Sequence, residues 1–208
     1  MTMNHVLAAL REGVPRQEPD ARACMAPGYR LEPDFFMASG PWRDAAVLLL
    51  LYEVDGAVRF PLMLRPSGGG VHSSQISLPG GSREAGESLQ DCALRETAEE
   101  LGVDSGSVRV LGALSPLEVP PSRFTVHPFV GAVSARPVFR PEPAEVAAVF
   151  EPSLDDVLAA DSHEEDLAEF RGSLWRVPFY RLAGQRVWGA TAMILAELEA
   201  ILRADLIR

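Results

Sequence analysis

The amino-acid sequence predicts an α/β fold in which helices cover both faces of a mixed β-sheet. Short apolar runs that predict strands are mixed with stretches of helical periodicity, but not in the regular strand–helix–strand order of a parallel sheet. No internal repeat or low-complexity segment interrupts the pattern. Because 208 residues can bury one sizeable core, we expect one domain, residues 41–208, preceded by an arm, residues 1–40, that packs onto it.

The composition argues against several classes of partner. A formal net charge of −10 repels nucleic acid and anionic membranes, so a phosphate-bearing substrate would need locally placed arginines or a metal ion. The apolar run at residues 47–51 is too short to span a bilayer, and residues 1–10 lack the basic leader of a signal peptide. Cys24 and Cys92 are far apart and lack metal-ligand spacing. We expect a cytoplasmic protein with no nucleic-acid or membrane partner. The sequence does not decide between a monomer and a homodimer.

Local patterns predict the strands and helices in order. Residues 45–52 form an apolar run that predicts a buried strand, and Asp55-Gly56 predicts the turn to a hairpin partner at residues 58–64. After a glycine-rich loop, a short strand at residues 75–78 ends at Pro79-Gly80-Gly81. Further strands are predicted at residues 108–114, 124–133 and 174–180, and helices at residues 6–11, 89–101, 154–160 and 191–204.

The predicted helix at residues 89–101 carries signals at both ends. Ser88 is a good N-cap with Asp91 three positions later, and Gly102 stands where a left-handed C-terminal cap belongs. At about 100° per residue, its apolar side chains lie toward one side and three carboxylates lie toward the other. The apolar side consists of Ala93, Leu94, Thr97, Ala98 and Leu101. The three carboxylates are Glu96, Glu99 and Glu100.

Three carboxylates at positions i, i+3 and i+4 of a helix need a positive partner. Like charges at these spacings repel each other and cost a helix about a few tenths of a kcal/mol per pair. Carboxylate oxygens on a rigid face suit Mg²⁺ or Mn²⁺, which keep several waters and accept phosphate oxygens as further ligands. An isolated Glu-x-x-Glu-Glu motif is more often a solvated acidic face, so the neighbouring residues must decide between the two interpretations.

The residues around this helix favour the metal interpretation. Residues 80–103, GGSREAGESLQDCALRETAEELGV, resemble the Nudix box, in which Gly, Glu, Arg-Glu, Glu-Glu and Gly recur at fixed spacings with aliphatic residues at two positions. The sequence fills every fixed position without an insertion, with Thr97 as a soft match at one aliphatic position. The fixed positions are held by Gly81, Glu87, Arg95, Glu96, Glu99, Glu100, Gly102 and Val103.

The resemblance implies a metal-dependent hydrolase with the α/β/α sandwich of the Nudix family. In such enzymes water attacks one phosphorus of a diphosphate, metal ions neutralise the growing charge, and two monophosphate fragments leave. Glu87 and Arg95 would pair and fix the loop against the helix. The implied ligands of Mg²⁺ or Mn²⁺ are Glu96, Glu99, Glu100 and the carbonyl of Gly80, and the implied catalytic residues are Glu87, Arg95, Glu99 and Glu100.

The general base is not fixed by the box. The candidates are Glu99 and Glu100 within the box and Glu145, Glu164 and Glu165 in later segments. Residues 161–169 contain five acidic residues around His163, and for this stretch a solvated acidic loop is the favoured interpretation.

Three segments resemble the coenzyme A pyrophosphatase branch of the family, at residues 62–81, 145–158 and 187–198. The matches to the upstream motif of that branch are Leu62, Arg65, Pro79, Gly80 and Gly81. The resemblance implies that Arg65 and Gly81 bind the substrate. It also implies a small-molecule diphosphate substrate, coenzyme A or an acyl-CoA, cleaved to 3′,5′-ADP and the phosphopantetheine.

Departures from this branch keep other functions open. Gly70, Ser74 and Leu78 stand where the branch has Arg, Gly and Phe, so Arg65 or His72 would have to replace the missing phosphate partner. The alternatives are a pyrophosphatase for ADP-ribose, dinucleotides or nucleoside triphosphates, and a nucleotide sensor without catalysis.

Aromatic residues near the predicted site have two interpretations. Trp188 matches the coenzyme A branch, but packing against the sheet is the favoured interpretation. Phe35, Phe36 and Trp42 could stack on an adenine ring, and for them too packing is favoured.

Overall fold

The computed structural model describes residues 1–14, 17–32, 40–68 and 73–207. Within these ranges the chain forms four α-helices and twelve strands, together with short 3₁₀ turns that include Gly28–Leu31. In chain order the helices are α1 (Met3–Gly13), α2 (Leu89–Leu101), α3 (Leu154–Leu158) and α4 (Gly189–Leu206). The strands are β1 (Arg43–Val54), β2 (Ala57–Arg59), β3 (Leu62–Leu64), β4 (Ile76–Ser77), β5 (Gly80–Ser82), β6 (Arg109–Ala113), β7 (Leu117–Val119), β8 (Phe124–Ala132), β9 (Ala148–Phe150), β10 (His163–Phe170), β11 (Ser173–Leu182) and β12 (Gln185–Trp188).

The main sheet is mixed and is centred on β1. Its strand order is β2-β1-β8-β6, with β5 added to β1 and β7 added to β8. β1 and β8 run parallel, from Arg43 opposite Phe124 to Leu51 opposite Ala132, while the other pairs in this sheet are antiparallel. Two antiparallel sheets, ordered β4-β3-β9 and β10-β11-β12, complete the described fold. The prediction of a mixed sheet combined with helices is confirmed.

The side chains of β1 enter two apolar clusters on opposite faces of the main sheet. Leu48 and Leu50 pack in the cluster that contains Cys92 of α2, while Leu49 and Leu51 pack with residues of α1 and α4. All four leucines are fully buried. Because successive side chains of a strand point to opposite faces, a continuous apolar run is typical of a strand that is covered on both sides.

The hairpin partner predicted at residues 58–64 is divided between two sheets. β2 pairs with β1, whereas β3 pairs with β4 and β9. Pro61 lies between them and has no amide proton to donate to a ladder. The amide of Phe60 donates to the carbonyl of Pro152, at 3.2 Å, instead of continuing the hairpin. The prediction of a single strand is therefore wrong beyond Arg59.

The acidic stretch predicted as a solvated loop is β10, an edge strand of the β10-β11-β12 sheet. Its carboxylates are matched by arginines of β11: Glu164 accepts from Arg181 at 2.6 Å and Glu165 pairs with Arg176. Acidic residues have low strand propensity, but opposite charges on neighbouring strands stabilise the pairing. The loop prediction is wrong because β11 follows after a two-residue turn at Arg171-Gly172 and supplies the opposite charges.

The other predicted helices and strands are confirmed within one to three residues at most ends. The sequence does not predict β5, β7, β9 or β12, which have three or four residues each and are too short for periodicity to identify. Phe35, Phe36, Gly70 and His72 lie outside the described residues.

Among the described residues, no helix combines the length and the apolar character that are needed to cross a bilayer.

A buried ion pair joins the N-terminal residues to α4. Arg22 contacts the carboxylate of Glu197, and both side chains are buried. The same carboxylate accepts hydrogen bonds from the amide and hydroxyl of Ser115, at 3.1 and 2.7 Å, and from the amide of Glu18, at 3.1 Å. Arg22 also donates to the carbonyl of Pro116 at 2.9 Å. Because both charges are removed from water, each needs the opposite charge of the other to offset the free energy of its lost hydration.

Removal of Glu197 would leave Arg22 buried without its counter-charge. We expect Glu197→Ala to lower the free energy of unfolding by about 3–5 kcal/mol, measured by urea denaturation. Glu165→Ala, which removes an exposed pair with Arg176, is the control and should cost less than about 1 kcal/mol. Equal losses in the two variants would contradict the role of the buried pair.

Candidate functional site

Helix α2 begins and ends at the predicted residues. The hydroxyl of Ser88 accepts a hydrogen bond from the amide of Asp91 at 3.1 Å, which satisfies a free donor of the first turn. Gly102 adopts the left-handed conformation with φ of 68°, and its amide donates to Ala98 at 2.9 Å. These caps fix the register of the carboxylates on α2.

Two glycines let the loop before α2 approach both the sheet and the helix. Gly80 has φ of 147°, and a Cβ atom there would lie 2.3 Å from the carbonyl oxygen of Ala46 in β1. A Cβ atom on Gly81 would lie 2.5 Å from the carboxyl group of Glu96. Position 80 therefore requires glycine if β5 is to pair with β1, and Gly81 leaves room for the Glu96 carboxylate beside its backbone.

Glu100 is buried against this loop, with 1% of its surface exposed. One carboxylate oxygen accepts the amide of Gly80 at 2.7 Å, and the other lies 3.6 Å from the Arg65 guanidinium. Burial raises the pKa of the Glu100 carboxyl to about 8. The side chain lies on the buried face of α2 with Thr97 and Leu101, and not on the side opposite the apolar residues as the helical pattern predicts. The loop at Gly80 covers that face.

The other two carboxylates of α2 have different surroundings. Glu96 is largely buried, and burial raises the pKa of its carboxyl above the ordinary value. Glu99 is 58% exposed and accepts a hydrogen bond from Arg95 at 2.8 Å. Glu96 and Glu100 line the same cleft, whereas Glu99 is not among its lining residues. The structure therefore brings two of the three box carboxylates together and leaves the third at the surface.

Arg95 ties the loop to the helix, as predicted. Its Nε and Nη2 atoms donate to the two carboxylate oxygens of Glu87, at 3.1 and 2.9 Å, in a bidentate pair. This pair lowers the pKa of the Glu87 carboxyl to about 2. Arg95 also donates to the carbonyl of Ser82 at 3.1 Å. The predicted pairing is confirmed, and it holds the end of β5 at a fixed position relative to α2.

The cleft has a volume of about 700 Å³ and extends beyond the box. Arg65 lines it and donates to the carbonyl of Gly80 at 3.1 Å. Glu145 lines the same cleft as Glu96 and Glu100. The turn that carries Glu145 is attached to α2, because the amide of Glu142 donates a hydrogen bond to the carbonyl of Glu100 at 2.9 Å. Carboxylates from two distant segments therefore border one space.

Some cleft residues were missed by sequence reasoning, and some candidates lie elsewhere. Trp188, for which core packing is the favoured sequence interpretation, is only partly buried and lines the cleft. Tyr29 and Arg30 line it from the 3₁₀ turn Gly28–Leu31, Arg186 lines it from β12, and no local pattern identifies them. The described candidates that lie outside the cleft lining are Trp42, Glu87, Arg95, Glu99, Glu164 and Glu165.

The oxygen donors of the site fit a hard divalent cation. The described residues contain no preassembled group of three or more His, Cys, Asp or Glu side chains suited to a metal. Glu96, Glu100 and the carbonyl of Gly80 are nevertheless all oxygen donors beside one cleft, the set that Mg²⁺ and Mn²⁺ prefer. Burial raises the pKa of both carboxyls, and a cation would offset this effect.

Comparison with known proteins agrees with the fold. The model of the NUDIX domain matches residues 42–172. Nudix hydrolase NudL of Pectobacterium atrosepticum is 37% identical over 128 residues, which are 61% of this chain and 66% of that protein. Nudix hydrolase 15, mitochondrial, of Arabidopsis thaliana is 32% identical over 167 residues, which are 76% of this chain and 58% of that protein. The match thus spans less than two thirds of either relative.

A solved structure supports the fold assignment. The structure of the MutT protein of Methanosarcina mazei is similar to this one, with a TM-score of 0.51 and 18% sequence identity. The similar region covers 80% of this chain and 97% of the MutT chain. At that identity the likeness concerns the fold alone. Because the family model matches more than half of the sequence and the relatives are named Nudix hydrolases, this chain belongs to the Nudix hydrolase family.

Proposed function

We propose that this protein is a divalent-metal-dependent pyrophosphatase that cleaves the diphosphate of coenzyme A or an acyl-CoA to 3′,5′-ADP and the phosphopantetheine. One observation carries the choice of substrate: all three segments that resemble the coenzyme A branch contribute to the wall of one cleft. Their lining residues include Arg65, Gly81, Glu145, Trp188 and Thr191. Segments so far apart in the chain have a common function if one ligand contacts all of them.

The box residues would hold the metal and the diphosphate. Glu96, Glu100 and the Gly80 carbonyl would bind Mg²⁺ or Mn²⁺. Glu99 would become a further ligand once its hydrogen bond with Arg95 is broken. When bound, the ion neutralises the negative charge that grows on the phosphate oxygens. Arg65 uses one nitrogen for the Gly80 carbonyl and offers its other donors to a phosphate oxygen in the cleft.

Glu145 is the general base that this arrangement favours. It lines the cleft with Glu96 and Glu100, so it can accept a proton from a water that attacks phosphorus there. Glu164 and Glu165 are held by Arg181 and Arg176 on β10 and β11, away from the cleft lining. They are therefore weaker candidates than Glu145.

The proposed substrate is tested by hydrolysis of a panel with Mg²⁺ or Mn²⁺ and identification of the products by mass. The panel contains coenzyme A, an acyl-CoA, ADP-ribose, NADH, diadenosine polyphosphates and nucleoside triphosphates. We expect the highest kcat/KM for coenzyme A or the acyl-CoA, with release of 3′,5′-ADP. A clear preference for another compound would contradict the coenzyme A assignment, and no turnover of any compound would contradict the pyrophosphatase activity itself.

Substitution of the box carboxylates tests the metal assignment. We expect Glu96→Gln, Glu99→Gln and Glu100→Gln each to lower kcat by about a hundredfold or more, about 2.7 kcal/mol, because each removes a ligand charge. The melting temperature should stay close to that of the wild type. Glu84→Gln, an exposed loop carboxylate outside the fixed positions, is the control and should keep full activity. Wild-type turnover in Glu99→Gln or Glu100→Gln with Mg²⁺ would show that the assignment is wrong.

The base assignment is tested at Glu145. We expect Glu145→Gln to lower kcat by about 10²–10⁴-fold with little change in KM. Glu164→Gln and Glu165→Gln are matched controls and should keep the wild-type kcat. Wild-type kcat in Glu145→Gln, or an equal loss in a control variant, would assign the base elsewhere.

A further inference from the structure

Arg186 lines the cleft from β12, in a part of the wall that the box does not form. Its guanidinium lies over the ring of Phe179, 4.7 Å from the centroid, and 5.9 Å from the centroid of the Trp188 ring. Contacts of this kind attract a cation to the ring faces and restrict where it lies. The charge of Arg186 is thus held beside an aromatic part of the cleft.

The guanidinium of Arg186 makes no hydrogen bond with any residue that the structure describes. Its Nε and Nη2 atoms are buried without an acceptor, although 38% of the side chain is exposed. Asp166 forms an ion pair with Arg186, but its oxygen lies 3.6 Å from Nη2, beyond normal hydrogen-bond distance. Buried donors without an acceptor are costly, and an anion in the cleft would supply the hydrogen bonds that Asp166 does not.

A neighbouring arginine on the same sheet, Arg181, has acceptors for its hydrogen-bond donors. Arg181 stands opposite Arg186 in the pairing of β11 with β12, and its guanidinium also lies over Phe179, at 5.3 Å. Arg181 donates to both oxygens of Glu164, at 2.6 and 2.7 Å, and does not line the cleft. Only the arginine that faces the cleft lacks an acceptor.

The surroundings of Arg186 indicate the kind of anion. Arg30 lines the same cleft, and its one hydrogen bond in the described part of the chain is to the carbonyl of Glu118. Tyr29, Phe170 and Trp188 add aromatic surface to the cleft. Guanidinium groups bind phosphate oxygens in a bidentate way, and aromatic faces stack on bases. This combination suits a nucleotide that carries a phosphate.

We propose that Arg186 binds a phosphate monoester on the nucleotide part of the substrate, separate from the diphosphate that is cleaved. Arg186 is thus a specificity-determining residue, and Arg30 assists it. The proposal rests on the proposed function for its place in the reaction, but the binding of a phosphorylated nucleotide can be measured without any turnover.

The first experiment compares substrate pairs that differ by this one phosphate: coenzyme A with dephospho-coenzyme A, and NADPH with NADH. We expect the wild type to favour the phosphorylated member of a pair in kcat/KM by about tenfold to a hundredfold, the strength of a charge-assisted hydrogen bond. Arg186→Met should remove this preference and leave the other member within about twofold. Arg186→Lys should restore part of it, and Arg181→Met should keep the wild-type ratio.

The second experiment measures binding of 3′,5′-ADP and of AMP by calorimetry, so it does not depend on hydrolysis. A preference for 3′,5′-ADP that Arg186→Met removes and Arg181→Met keeps would support the phosphate site even if no diphosphate were cleaved. The proposal is overturned if the wild type has no preference in either experiment. It is also overturned if Arg186→Met keeps the preference or weakens both members of a pair equally.

Discussion

The hydrogen bond between the amide of Gly80 and the buried carboxylate of Glu100 is the contact on which the arrangement of the site depends. It joins the start of β5 to α2, and it is short, at 2.7 Å. A buried carboxylate is unfavourable unless donors or charges compensate it, and here the Gly80 amide and Arg65 do so. The contact requires glycine at position 80, because a Cβ atom there would collide with β1. Position 80 must therefore be glycine because of its backbone geometry, and the amide of the same residue stabilises the Glu100 carboxylate.

The bidentate pair of Glu87 and Arg95 completes this constraint from the other side. Arg95 contacts Glu87 and the carbonyl of Ser82, so the loop is attached to α2 at both of its ends. A loop held in this way keeps its carbonyl and carboxylate oxygens in place without a ligand, which lowers the entropy that binding would cost. The acidic groups of the cleft are thus preorganised by residues that need not touch a substrate.

Charge is distributed unevenly around the cleft in spite of the net charge of −10. Glu96, Glu100 and Glu145 border it, which suits a cation, while Arg30 and Arg186 offer positive charge on a wall that also carries aromatic rings. A chain with this average field attracts an anionic substrate only where arginines or a metal reverse the local sign. The cleft offers arginines for this purpose, and it also has oxygen donors that fit a metal ion.

Features that depend on residues close together in the chain could be predicted from the amino-acid sequence. The caps of α2 at Ser88 and Gly102, the buried strand β1 and the spacing of the box were all predictable, because each depends on local propensity, apolar period or side chains within one helix. Strand β10 pairs with β11 through a local turn at Arg171-Gly172, but its acidic composition concealed it, since acidic residues are depleted in strands. Only the tertiary structure shows which carboxylates share the cleft. Burial of Glu100 and exposure of Glu99 depend on the loop at Gly80 and on the position of Glu145, and no pattern within α2 encodes those contacts.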